Sequence, residues 1–370
     1  MKASHGRPWD GRAVAIAAAA VVVLAAYLPG LADYGLWEPW EVDRLEEAIE
    51  YREAGMPEAR IGEDGEWARG PLVRSLNGMG YADGVDEGPV RLPAAAAAAC
   101  GLLVGLLLAL ALFGTRVGVY SILIMAGLPL YVSMGRLLVW SSVPVAAHAL
   151  VLGGAALACF GPWRPGANAL TGLAAVLVGA LAGLFSAGPV LGFALPLCGA
   201  GLGLLFARAL RGPSSRRWIL AAVGLLAVAG VAWVAVLLLD AEYRATAASG
   251  APAQFDMYLR QLILGCFPWT GLLFAGLGLV LGPGDEGDER RTGAATVLAT
   301  GVGLTFLAQS LWSRYAGEAP FLALWPLAVA GGMLLERAEV ERYPRRIAAA
   351  VFLLFLALGV RDHLLEPVVL

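Results

Sequence analysis

The chain has 370 residues, a net charge of −3, 59% hydrophobic residues and 15% charged residues. A soluble domain has roughly 45–50% apolar residues even with glycine included, and about 25% charged residues, whereas the 59% here leaves out a further 48 glycines. This composition excludes a cytosolic enzyme, a nucleic-acid-binding protein and a secreted domain held by disulfides, and it predicts a polytopic membrane protein.

About eleven apolar stretches are long enough to cross a bilayer as helices, and none alternates polar and apolar residues as barrel strands do. They lie at roughly 13–32, 93–113, 116–134, 137–160, 168–186, 189–209, 218–239, 259–282, 293–312, 319–335 and 346–360. We therefore predict an all-α fold, a single transmembrane helix bundle over residues 1–370. The Gly188-Pro189 pair between two stretches is compatible with either a turn or a kink.

Basic residues are distributed unequally between the two predicted sides. With the N-terminus in the cytoplasm, fifteen of the 26 basic residues fall in cytoplasmic segments, five in short outer segments and six in one long outer loop. Because cytoplasmic loops are enriched in Arg and Lys, this bias predicts a multi-pass protein of a bacterial inner membrane, with a cytoplasmic N-terminus and a periplasmic first loop. The first apolar stretch exceeds the core of a signal peptide, roughly 7–15 residues, so we expect it to remain as a span.

The long loop over residues 33–92 differs in composition from the rest of the chain. It contains fifteen of the 29 acidic residues and six arginines, a local charge of −9. Loops of this length in compact proteins are usually functional or disordered. The spacing of Trp40, Leu45, Ala48 and Ile49 predicts an amphipathic helix over about 39–54 that lies at the membrane surface. A second short helix is predicted over about 71–79.

Four short segments occur in a characteristic order relative to the predicted spans. They are Gly35-Leu36-Trp37-Glu38-Pro39-Trp40-Glu41, Arg69-Gly70-Pro71-Leu72, Arg91-Leu92-Pro93 and Gly265-Cys266-Phe267-Pro268-Trp269. In this order, and with a long acidic loop after the first span, the chain resembles the membrane-embedded C-type glycosyltransferases, such as the protein mannosyltransferases and the aminoarabinose transferases.

The resemblance implies an integral-membrane enzyme, a hexosyl- or pentosyltransferase of inverting stereochemistry. It would move a sugar from a polyprenyl phosphate to a lipid, glycan or protein acceptor on the outer face. Its partners would be the polyprenyl-phosphate-linked sugar, the acceptor and membrane lipids, and not nucleic acid. Some family members use a divalent cation near their acidic residues, so the resemblance leaves a divalent cation open, although the sequence itself predicts no metal site.

Three positions depart from the family pattern. Trp40 stands where the family often has Asp before Glu, Ser141 lies where it often has an acidic residue, and Ala187 replaces the lysine of a Lys-Gly-Pro segment. These departures favour an alternative, a catalytically degenerate relative that binds a lipid-linked sugar or a partner enzyme without turnover. A transporter is a third hypothesis, disfavoured because the spans hold few charges and show no inverted repeat.

Transfer of a sugar needs a carboxylate that takes the acceptor's proton and cations that stabilise the leaving phosphate. Glu41 is the first candidate base and Glu38 the second, since a helix starting at Pro39 would let both face one way. The alternative role for Glu41 is to complement the helix dipole in the first turn.

Four arginines at outer positions are candidate ligands of the donor phosphate, because a guanidinium binds two phosphate oxygens. Arg69 matches the loop lysine of the family, and Arg314 lies at the outer end of the ninth predicted span. Arg136 and Arg260 lie at outer helix ends, where an arginine also commonly snorkels to the interface. His148 lies inside a span, where a bond to a neighbouring helix is the simpler explanation than a functional site.

Overall fold

A computed structural model describes residues 21, 27, 29–31, 33, 35–36, 38, 40–53, 70–79, 87–209, 216–239, 255–281, 288–316, 319–340, 346, 349 and 353. Throughout these residues the chain is helical with short connections and has no strand, which confirms the predicted all-α class. The predicted spans 13–32 and 346–360 lie largely outside the described residues, so the number of spans stays a prediction.

The two loop helices precede the helices of the bundle. The loop helices are α1 (Trp40–Glu53) and α2 (Pro71–Met79). The bundle consists of α3 (Glu87–Phe113), α4 (Thr115–Ala126), α5 (Pro129–Arg136), α6 (Val143–Phe160), α7 (Pro165–Ala187), α8 (Leu195–Ala209), α9 (Arg216–Leu239), α10 (Phe255–Leu264), α11 (Thr270–Leu281), α12 (Glu289–Ala316) and α13 (Leu324–Val340). A π-helical segment, Gly188–Ala194, connects α7 to α8.

Among the described residues, four helical stretches are long and apolar enough to cross a membrane. The pair α4–α5 adds a fifth if it counts as one span, and it bends by 66° between its two helices. Pro129 at the start of α5 fits this break, because its ring cannot continue the preceding helix. The stretch Pro165–Ala209 has 45 residues, about twice the roughly 20 that one crossing needs.

Gly188 turns the chain back between α7 and α8. Its φ of +74° is a conformation that residues with a side chain rarely adopt. Gly183 and Gly192, nine residues apart, lie with their backbones in direct contact, so a methyl group on either would overlap the other. A straight helix would separate these residues by about 13 Å. The Gly188-Pro189 pair is therefore a turn, after which the π-helical segment packs back against α7.

The connections predicted to lie outside gather at one end of the bundle. At this end the loop contacts the 137–142 connection through Glu41 and Leu138, and the turn after α7 through Gly70 and Ser186. At the other end Arg116 pairs with Glu339 at 3.1 Å, joining two predicted cytoplasmic connections. We call these the loop end and the opposite end.

The core between the helices is apolar and close-packed. The largest cluster of buried side chains draws on nearly every bundle helix, with Trp325 of α13 and Tyr131 of α5 among its largest members. Both place their polar atom on a carbonyl of α3: Trp325 donates to Gly105 at 2.9 Å and Tyr131 donates to Ala98 at 3.0 Å. Paired in this way, the two side chains avoid the cost of a buried unsatisfied donor.

Candidate active site

Helix α1 rests on the loop end of the bundle through its apolar face. Leu45 packs with Val90, Ala94 and Leu138 in a small buried cluster of its own. The opposite face of α1 is exposed and acidic, with Asp43, Glu46, Glu50 and Glu53. The pattern of apolar residues that predicted the helix therefore corresponds to a face packed against protein.

Glu41 and Arg91 form an ion pair with no exposed side-chain surface on either residue. The guanidinium binds both carboxylate oxygens: Nε donates to Oε1 at 3.0 Å and Nη2 donates to Oε2 at 2.6 Å. The backbone N–H of Leu138 also donates to Oε1 at 3.1 Å. Arg91 is completed by the carbonyls of Leu31 and Gly35, each at 2.9 Å. We call these five residues the Arg91 cluster.

The Arg91 cluster joins parts of the chain that are far apart in sequence. Its members come from the end of the first span, the start of the loop, α1, α3 and the connection between α5 and α6. A buried guanidinium is costly unless its donors are paired, and here Nε, Nη1 and Nη2 all have acceptors. The cluster therefore fixes the loop to the bundle at one point.

Glu38 and Glu41 face different ways. The helix begins at Trp40, so Glu38 precedes it instead of lying in its first turn. Glu38 is exposed, whereas Glu41 is fully buried. The expectation that both carboxylates face one way is not met, because one side chain is exposed and the other is buried. Their catalytic roles stay predictions, and only Glu38 is placed where solvent and a substrate can reach it.

The second loop helix contacts the turn after α7. Gly70 packs so closely on Phe185 and Ser186 that a methyl group in its place would overlap the Phe185 carbonyl. Its N–H donates to the Ser186 carbonyl at 3.2 Å. Arg69 lies outside the described residues, but the neighbouring Gly70 is fixed beside the Ala187-Gly188 turn. Two of the segments compared with the family, residues 69–72 and 187–189, thus meet in space.

A charged contact links the two loop helices. Arg74 of α2 is buried and its Nε lies 2.8 Å from a Glu47 oxygen, while Arg44 lies 3.5 Å from the other oxygen of the same carboxylate. One carboxylate therefore lies between two guanidinium groups.

The other predicted phosphate ligands are spread over the loop end. Arg136 is half-buried, and its guanidinium and the Asp33 carboxylate both lie close to the point that a Cβ on Gly30 would occupy. Arg260 is exposed on α10 and lies 3.5 Å from Asp256. Arg314 belongs to the last turns of α12, and its side chain lies outside the described residues. Arg136 lies beside the Arg91 cluster, because its guanidinium is close to Gly30, the residue before Leu31, and it is two residues from Leu138.

Two glutamines hold the segment that connects α12 to α13. Gln261 donates to the Ala319 carbonyl at 3.0 Å and accepts from the Phe321 N–H at 3.0 Å. Gln309 donates to the Pro320 carbonyl at 2.9 Å and accepts from the Leu322 N–H at 3.1 Å. Each side-chain amide thus binds one carbonyl and one N–H of a buried, non-helical segment, as a neighbouring β-strand would. This segment follows the end of α12 that carries Arg314.

His148 bonds to the neighbouring helix, with its Nε2 3.0 Å from the Thr305 hydroxyl of α12. This is the simpler of the two roles considered for it. Within the described ranges no three His, Cys, Asp or Glu side chains lie close enough together to hold a metal ion.

The ion pair of Arg91 was not predicted from the sequence, where Arg91 was noted only as part of the Arg91-Leu92-Pro93 segment. A signal was available: an arginine at the edge of an apolar span needs an acidic partner, and Glu41 lies in the long loop that holds fifteen of the 29 acidic residues. The identity of that partner among fifteen acidic residues required the fold.

Comparison with solved structures identifies the architecture. The chain superposes on ArnT from Cupriavidus metallidurans in the apo state with a TM-score of 0.60 and 18% identity over 89% of this chain. It has the fold of the membrane-embedded C-type glycosyltransferases. ArnT bound to undecaprenyl phosphate gives a TM-score of 0.59 and 17% identity over 97% of this chain. The Archaeoglobus fulgidus oligosaccharyltransferase AglB, in complex with an inhibitory peptide and a dolichol-phosphate, gives 0.52 and 14% over 94%.

The C-type fold is shared over nearly the whole chain, but the chain covers only part of its neighbours. It spans 60% of the apo ArnT chain, 73% of the lipid-bound ArnT chain and 54% of the AglB chain. The sequence matches no protein-family model, and no curated protein matches it significantly. The likeness therefore establishes the fold and not the activity.

Proposed function

We propose that the chain is an inverting glycosyltransferase that moves a hexose or pentose from a polyprenyl phosphate to an acceptor. The acceptor would be a lipid, glycan or protein on the periplasmic face of a bacterial inner membrane, with the loop end periplasmic and the N-terminus cytoplasmic. The main support is that a C-type fold presents Glu38 as an exposed carboxylate on a segment held at both sides by the Arg91 cluster.

Glu38 is the proposed general base. In the reaction the acceptor oxygen or nitrogen attacks the anomeric carbon, its proton passes to Glu38, and the bond from that carbon to the phosphate oxygen breaks. The phosphate leaves with the bonding electrons. A base must reach the proton at about 3 Å. The buried Glu41 offers no such access, because Arg91 and Leu138 occupy its oxygens.

The arginines of the loop end are the proposed ligands of the leaving phosphate. Arg136 lies against Gly30, the residue before Leu31 of the Arg91 cluster, and Gly70, the residue after Arg69, binds the turn after α7. Arg260 belongs to α10 and Arg314 to the last turns of α12. A guanidinium suits this role because it offers paired donors to two oxygens and stays charged. Charge develops on the phosphate as the bond breaks, so cations at this end stabilise the transition state.

The test is release of undecaprenyl phosphate from synthetic undecaprenyl-phosphate-linked hexoses and pentoses. Purified protein in nanodiscs would be incubated with each donor and a membrane lipid extract that supplies acceptors. We expect Glu38→Gln to lower the rate about 10²- to 10⁴-fold, the usual contribution of a general base. Glu50→Gln, an equally exposed carboxylate on α1, should leave the rate unchanged. An unchanged rate in Glu38→Gln would exclude Glu38 as the base.

A second candidate is a catalytically degenerate relative that binds a lipid-linked sugar or a partner enzyme without turnover. Two observations favour it. Glu41 is fully buried in its ion pair with Arg91, and Ala187 takes a position where the family often has lysine. The same assay separates the two. Binding of undecaprenyl phosphate without release from any donor would support this candidate.

A further inference from the structure

Arg91 contacts the chain on both sides of Glu38. Its Nη2 donates to the carbonyl of Gly35, three residues before Glu38, and its Nε and Nη2 donate to the carboxylate of Glu41, three residues after it. A single guanidinium therefore ties down both flanks of the short segment that presents the exposed carboxylate.

The other hydrogen bonds of the Arg91 cluster connect the segment around Glu38 to the bundle. Arg91 is itself part of α3, and its Nη1 donates to the carbonyl of Leu31 at the end of the first span. Glu41 is held a second time by the N–H of Leu138, between α5 and α6. Movement of the Glu38 segment relative to the spans would therefore break buried, charge-assisted hydrogen bonds, which are stronger than neutral ones.

We infer that Arg91 is a positioning residue for the Glu38 carboxylate and that Glu41 serves as its anchor. This inference rests on the proposed function, and it assigns different tasks to the two acidic residues of the loop motif. Glu38 lies in a turn that precedes the helix, outside the hydrogen-bonding pattern of α1. Fixing it matters because a displacement of about 1 Å at a reacting group can lower a rate about 100-fold.

Arg91→Lys is the direct test, because lysine keeps the charge but cannot reach Gly35, Leu31 and both Glu41 oxygens at once. We expect the turnover number to fall about 10- to 100-fold while the KM for the undecaprenyl-phosphate-linked donor stays within about twofold. Arg116→Lys, which alters an exposed pair at the opposite end, is the matched control and should leave both unchanged.

A double-mutant cycle tests whether Arg91 acts through Glu38. If it does, Arg91→Lys lowers the rate in the wild-type background and adds little in the Glu38→Gln background, because the group it positions is already gone. A purely structural role would give the same fold-loss in both backgrounds. Equal losses in the two backgrounds, or a change confined to KM, would overturn the inference.

Glu41→Gln supplies a gentler variant in case Arg91→Lys does not fold, since glutamine has the shape of glutamate and still accepts one hydrogen bond. Hydrogen exchange of a peptide covering residues 33–41 gives a readout that does not depend on activity. We expect exchange there to accelerate at least about tenfold in either variant, while exchange in α6 stays as in the wild type. Unchanged exchange in residues 33–41 would overturn the inference.

The two failures are distinguishable. If Glu38→Gln keeps the wild-type rate, the proposed base is wrong, and the claim that Arg91 positions a catalytic group falls with it. If Glu38→Gln loses activity but Arg91→Lys and Glu41→Gln keep both the wild-type turnover and the wild-type exchange, the proposed function stands and only the positioning role is overturned.

Discussion

Each end of the bundle has an arginine–glutamate pair that joins segments distant in sequence, and the Glu41–Arg91 pair of the loop end differs in burial from the pairs of the opposite end. At the loop end Glu41 and Arg91 are entirely buried, and backbone groups complete their hydrogen bonding. At the opposite end Arg116 and Glu339 are 63% and 40% exposed, and Arg291 with Glu336 is partly exposed. Water therefore competes for the second set of pairs and is excluded from the first.

This difference shows what each end is built to do. Exposed ion pairs contribute at most about 1 kcal/mol each, so the opposite end gains little by fixing its connections. A buried pair brings little net stability, but losing one partner is expensive because the other charge is left uncompensated. The buried pair therefore holds the loop end in a fixed geometry and makes it sensitive to mutation of either partner. A functional site requires such a geometry, whereas a solvent-exposed connection does not.

The largest effect is expected from breaking the buried pair. Glu41→Ala leaves Arg91 buried without its anion, and we expect the free energy of unfolding to fall by about 3–5 kcal/mol. Thermal and SDS-induced unfolding of the purified protein would measure it. Glu46→Ala, on the exposed acidic face of α1, is the control and should change stability little. Equal stabilities of the two variants would show that the Arg91 cluster does not hold the loop.

Removing one of the glutamine amides should have the next largest effect. Gln309→Leu leaves the Pro320 carbonyl and the Leu322 N–H unpaired in a fully buried place, at a cost of about 1–3 kcal/mol. Gln261→Leu should cost less, because Gln261 is only partly buried and water can replace it. Unfolding free energies and exchange of the Leu322 amide would rank the two variants, and the reverse ranking would contradict this account.

Gly70→Ala tests the contact between the second loop helix and the turn after α7. The added methyl group overlaps the Phe185 carbonyl, and overpacking of this kind costs about 1–3 kcal/mol. The strain is relieved if α2 moves away, so we expect faster tryptic cleavage within the loop. Gly224→Ala is the matched control, since a Cβ there meets nothing within 4 Å. Wild-type cleavage rates in Gly70→Ala would refute the contact.

The smallest effect is expected at the opposite end. Arg116→Gln removes an exposed pair with Glu339, and we expect the unfolding free energy to change by less than about 1 kcal/mol. Any change should shrink as salt is added, because exposed charges are screened. A loss as large as that of Glu41→Ala would mean that burial does not distinguish the two ends.

Sequence patterns predicted the helical stretches better than the breaks within them. Helices expected over about 39–54 and 71–79 correspond to Trp40–Glu53 and Pro71–Met79 in the structure. The apolar stretch at 259–282 was expected to form one span, but the chain turns at residues 265–269 and forms α10 and α11. Hydropathy reports how apolar a stretch is, not whether Pro268 within it interrupts the helix.

The sequence by itself determined the all-α class, the apolar stretches and the position of the acidic loop, because hydropathy and charge are properties of consecutive residues. It also placed Glu38 and Glu41 together in one motif. Only the tertiary structure decided that Glu41 is buried in an ion pair with Arg91, fifty residues away, while Glu38 is exposed to solvent. Burial depends on where the helix starts and on which segments pack over it, and those contacts join residues that sequence spacing does not relate.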